Sequence, residues 1–167
     1  MVFTKAELIA SLQNEVRILL HLATKIDRAK LDYRPTPKQR STLELLRYLA
    51  MMGPTMAKAT RAGSFDPEAW RAAQKALEAK DFDGVLDVIA GLADQYTTII
   101  GDMAEADFRG EVEMFGRKAT RGVWLVNTIL CGYAAYRTQL FVYLKACGRE
   151  ELSTMNLWGG MDPAPPA

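Results

Sequence analysis

The longest stretch of helix-period hydrophobicity in the chain runs from Thr120 to Gly148. Val123, Val126, Ile129, Tyr133, Tyr136, Leu140, Tyr143 and Cys147 recur there at spacings of three and four, which places them on one stripe of an α-helix. Leu125, Leu130, Phe141 and Leu144 widen the stripe, so this helix is expected at the centre of the fold. Gly148 is placed to end it in a left-handed turn. Arg137 and Gln139 interrupt the pattern. A long charged side chain in such a helix either reaches out to solvent along its own stem or belongs to a site.

Three further long amphipathic stretches and one short helix precede it. Thr4-Lys5-Ala6-Glu7 is a capping box that opens a helix to about Asp27, with Leu8, Leu12, Val16, Leu19, Leu20 and Ala23 on one face. Ser41-Thr42-Leu43-Glu44 is a second such box, opening a helix through Leu45, Leu46, Tyr48, Leu49 and Met52 that Gly53-Pro54 should kink or interrupt. Asp66-Pro67-Glu68 starts a short helix to about Ala79. A third long helix, capped near Asp81, should run to about Ala104 through Val85, Val88, Ile89, Leu92, Tyr96, Ile99 and Ile100. Phe108 to Ala119 reads as a loop or at most a short extended segment. The pattern therefore predicts an all-α protein: a four-helix bundle with one extra short helix, a single domain over residues 1–160, and a disordered tail over 161–167.

Composition narrows the function. The chain has 167 residues, 49% hydrophobic and 25% charged, with a formal net charge of +1, so no basic excess exists to bind nucleic acid. The cluster Arg34, Lys38 and Arg40 reads as a solvated loop. The N-terminal segment lacks the apolar core of a secretory signal, and the most apolar run, Gly122 to Cys147, is broken by Asn127, Arg137 and Gln139, so no membrane span is expected. Cys131 and Cys147 would lie ~24 Å apart along one helix, too far for a disulfide. They are expected as buried free thiols, in a cytoplasmic protein. His21 is the only histidine, and a conventional zinc site needs three or four donors. No phosphate-cradling loop and no nucleophile–histidine motif is present.

Three segments carry a resemblance: LDYRPTPKQRSTLELLRYLA (31–50), AYRTQLFVYLKACG (135–148) and NLWGGMD (156–162). Together, and in this order, they resemble the DinB-like superfamily, also called the damage-inducible or YfiT-like fold. The resemblance implies a bundle whose relatives hold a divalent metal with three histidines, one on the second helix and two spaced four apart on the last long helix. It further implies relatives that include thiol transferases and an isomerase. At the three corresponding positions this chain carries Tyr48, Gly132 and Tyr136, while Arg137 and Gln139 of the same motif remain.

Glycine offers no donor, and a phenol with a pKa near 10 is a poor ligand for a divalent ion. The expectation is a degenerate metal site, no metal and no cofactor, and a protein that is not a metalloenzyme. It would act as a small-molecule-binding or protein-interaction module, with Tyr48, Tyr136, Gly132, Arg137, Gln139 and His21 as pocket candidates. The alternative is a thiol-dependent transferase or isomerase. A homodimer is expected from the resemblance and from the apolar surplus at Trp124, Phe141 and Trp158.

Overall fold

A computed structural model describes residues 3–164. Its elements are α1 (Lys5–Ala23), α2 (Thr42–Ala62), α3 (Pro67–Glu78), α4 (Phe82–Ala90), α5 (Leu92–Gly101), β1 (Glu111–Met114), β2 (Arg117–Thr120), α6 (Arg121–Trp124), a π-helical segment (Leu125–Leu130) and α7 (Cys131–Ala146). Four rods make the bundle: α1, α2, the α4–α5 pair, and the rod formed by α6, the π segment and α7. The extra short helix, α3, lies against α2. The fold is all-α in its core, as the periodicity predicts.

Both capping boxes form. The Thr4 hydroxyl accepts from the Glu7 amide while Glu7 takes the Thr4 amide, and Ser41 and Glu44 do the same for α2. Asp66 caps α3 through the amides of Glu68 and Ala69. Leu12, Leu19 and Leu22 of α1, Leu45, Leu46 and Leu49 of α2, and Val85, Ile89, Leu92 and Ile100 of α4 and α5 are completely buried. Each such side chain stabilises the fold by roughly 1.5–3 kcal/mol relative to exposure.

Several expectations are corrected. The third rod is not one regular helix: Gly91, still in right-handed backbone with φ of −74° and ψ of −8°, forms a turn that separates α4 from α5. Helix α2, by contrast, runs unbroken through Gly53-Pro54 to Ala62. The segment after Phe108 is a β-hairpin, with Glu111 opposite Thr120 and Met114 opposite Arg117. Its two turn residues, Phe115 and Gly116, have φ of +54° and +71°. Positive φ at both central positions matches the right-handed twist of the flanking strands. Val112 and Met114 face inward, where they close over Trp124 and Ala59 as a small second core. Trp124 is therefore buried within the chain, whereas Trp158 is 69% exposed.

The central helix changes register. Its buried residues are Trp124, Leu125, Ile129, Tyr133, Arg137, Leu140, Tyr143 and Leu144, and Val123 is exposed. Steps of four over-rotate an α-helix by ~40° each. The wider turns of the π segment under-rotate, so Leu125, Ile129, Tyr133 and Arg137 stay on the core side. Cys131 falls on the exposed side, against the expectation of a buried thiol, and Cys147 is half-buried with its thiol pKa pushed up by burial.

The C-terminal segment is clasped to α1. Arg17 donates to the carbonyls of Gly159 and Gly160, at 2.8 and 3.1 Å, and Lys25 meets Asp162 at 2.7 Å. Gly160 has φ of +57° and backs directly onto Ile18, with no space for a Cβ. Asp162 thus has partners within the stretch expected as tail, whose residues 165–167 lie outside the described ones. Among the described residues, no helix is long and apolar enough to cross a membrane.

Candidate functional site

Tyr48 of α2 and Tyr136 of α7 meet edge to face, with ring centroids 4.9 Å apart. One turn along α2 from Tyr48, Met52 lies over Gly132, and a Cβ built on Gly132 would come within 3.0 Å of the Met52 methyl. The three positions that the DinB-like motif singles out therefore converge. Two rings and a thioether fill the space between them. Burial pushes the Tyr48 phenol up to about 12, with the Tyr136 phenol as the second cause. A phenol held neutral and a glycine do not make a donor set for a divalent ion. Among the described residues, no group of three or more histidine, cysteine, aspartate or glutamate side chains could hold one.

The open space lies on the other side of Tyr48. A cavity of about 380 Å³ opens between α2 and α3, and its lining includes Arg40, Arg47, Tyr48, Met51, Trp70 and Leu77. Trp70 of α3 stands 6.2 Å from the Tyr48 ring, centroid to centroid. The Arg40 guanidinium sits over the Tyr48 ring at 3.9 Å, an attraction between cation and π-face. Arg47 is anchored by Nε and Nη2 donating to the Lys80 carbonyl. Glu44 is held by the α2 cap, which draws its carboxyl below the usual range, with Arg34 adding to the effect.

Gln139 reaches this region through two other groups. Its amide donates to the Tyr143 hydroxyl, which donates to the Arg40 carbonyl at 3.1 Å. It thereby fixes the loop end that carries Arg40 across Tyr48. Arg137 turns away, towards α1, where its Nε lies 3.2 Å from Glu15 Oε2. Its Nη1 donates to the Leu157 carbonyl at 2.7 Å, and Trp158 lies 5.5 Å from the guanidinium.

His21 stands apart again. Its Nε2 accepts from the Asn156 side-chain amide at 3.1 Å, which puts the ring proton on Nδ1. Burial and then Lys25 lower its pKa, against the opposing pull of Asp162. The structure thus gathers Tyr48, Tyr136 and Gly132, joins Gln139 to them at one remove, and places Arg137 and His21 elsewhere. Sequence reasoning passed over Met52, Arg40 and Trp70. Arg40 was readable only as loop charge, and Trp70 as one apolar residue on a short helix. Met52, one turn from Tyr48, was the available signal.

No family model matches the sequence, and no curated protein matches it. A solved structure does match in shape. It is a DinB-like protein, YjoA, from Bacillus subtilis, with a TM-score of 0.68 over 87% of this chain and 94% of that one. The fold is DinB-like. Sequence identity to YjoA is 19%, so the likeness extends to the fold and no further. It agrees with the resemblance carried by residues 31–50, 135–148 and 156–162, and the order of the rods in this chain is that of a DinB-like bundle.

Proposed function

We propose that this protein is a metal-independent small-molecule-binding module of DinB-like fold, with its ligand held between α2 and α3. The observation that carries the reading is the cavity beside Tyr48. At about 380 Å³ it lies within the usual size range of ligand sites, and it combines aromatic walls with two arginines. The DinB-like motif positions carry Tyr48, Gly132 and Tyr136, with Met52 packed over Gly132, which argues that this chain has exchanged metal chemistry for a packed wall. What remains for binding is the outer face of that wall.

Trp70 offers flat apolar surface beside Tyr48, whose ring Arg40 covers, and Arg40 and Arg47 offer N–H donors at its edge together with the carboxylates of Glu44 and Glu78. An amphipathic aromatic molecule with polar groups at one end fits that combination. Anilinonaphthalene sulfonate is a suitable probe. It should bind saturably to one site with a gain in fluorescence, and Trp70→Ala should weaken binding by roughly five- to tenfold through loss of the aromatic contact. Equal titration curves for wild type and Trp70→Ala would overturn the assignment of the cavity.

A further inference from the structure

On the α1 side of α7 an open groove of about 700 Å³ runs between the two helices. It shares no lining residue with the α2–α3 cavity. Ile18, Leu130, Ala134 and Trp158 make its apolar walls, and Ser11 and Asn14 lie on its α1 side. Three charged residues also line it: Glu7, which is exposed, and Glu15 and Arg137, at 9% and 3% exposure.

The pair is served unequally. Arg137 has the Leu157 carbonyl and the Trp158 ring besides Glu15. Glu15 Oε2 has only the charge of Arg137. Their atoms approach to 3.2 Å, but the Nε–H is not directed at Oε2, and both atoms are left without a hydrogen bond. A carboxylate offers about four acceptor sites, and leaving a buried one unbonded is costly. Burial raises the pKa of Glu15, and Arg137 only partly opposes it. The group in want of a partner is therefore an acceptor on an apolar groove. What it lacks is a donor, preferably a charged one. An anion would have to displace Glu15 from Arg137 and would meet Glu7 in the same groove.

We propose that this groove is a second binding site, for a ligand with a protonated amine at one end and an apolar body. The ammonium lodges against Glu15, and the body lies along Ile18, Leu130, Ala134 and Trp158. Exposure of Trp158 at 69% leaves its ring available to the apolar part.

Hexylammonium and hexanoate are matched probes of opposite charge. In amide and indole NMR spectra of the full chain, hexylammonium should shift the Trp158 indole and the α1 and α7 amides saturably, and hexanoate should not at equal concentration. Glu15→Gln should weaken hexylammonium by about tenfold or more, as loss of a charge-assisted hydrogen bond does. Ala134→Met narrows the groove without touching the ion pair, so it keeps the test valid if Glu15→Gln folds poorly. It should also weaken hexylammonium. Absence of saturable shifts with hexylammonium, equal binding of hexanoate, or an Ala134→Met titration identical to wild type would overturn the proposal.

Discussion

Gly53 occupies a position in α2 where a Cβ would come within 1.8 Å of the Tyr96 hydroxyl and 2.6 Å of the Tyr133 hydroxyl. Those two phenols bond each other at 2.7 Å in the core, and Tyr133 donates onward to the Leu49 carbonyl at 3.0 Å. Burial raises the pKa of both, so they stay neutral and serve as a polar rivet between α2, α5 and α7. Gly53→Ala should destabilise the protein by about 2–3 kcal/mol through overpacking, although alanine is the better helix former. Gly101→Ala, at a helical site with nothing within 4 Å, should be neutral or stabilising by up to ~1 kcal/mol. Urea unfolding of the two variants separates steric from propensity effects, and a Gly53→Ala variant as stable as wild type would contradict the packing described. The sequence marked Gly53-Pro54 as a break. Its glycine is there to admit two tyrosine hydroxyls, and no local pattern encodes a clearance set by residues some 40 and 80 positions away.

At the scale of elements, capping and periodicity were legible because both are local. The Thr4, Ser41 and Asp66 caps stand where their side chains predict. The π segment was not legible. Leu125 and Ile129 stay in line with Tyr133 across it while Val123 turns outward, and a reading that assumes 3.6 residues per turn puts Val123 on the core side. The hairpin was hidden for another reason: its strands have four residues each and its turn uses Phe115 where asparagine or glycine would be the usual signal.

The ion pair between Arg137 and Glu15 has a pH signature. The folded state raises the pKa of Glu15 above the ordinary value near 4.5, so between that value and the raised one it holds a proton that the unfolded chain has released. The contribution of Glu15 to stability therefore falls as pH rises through this window. Carboxylates with lowered values, such as Asp83 beside Arg28 and Asp162 beside Lys25, act in the opposite sense and lose their contribution as pH falls. The difference in unfolding free energy between wild type and Glu15→Gln isolates the first effect. It should shift against the wild type as pH rises above about 4.5, and a difference independent of pH would contradict a desolvated Glu15.

For the whole molecule, the DinB-like fold was legible from three short segments that occur together and in order, residues 31–50, 135–148 and 156–162. The site was legible in part. Tyr48, Gly132 and Tyr136 do converge, but the open cavity lies beyond Tyr48, against a helix whose Trp70 gave no sign of its role. In the proposed function, packed Tyr48, Tyr136 and Met52 side chains stand where a metal site would otherwise be. Elemental analysis of protein purified without an affinity tag tests it most directly. Zinc, nickel and iron should each fall far below one atom per chain, also after incubation with the metals and desalting. Retention of one equivalent of any of them, lost on substitution of Tyr48 or Tyr136, would contradict this reading.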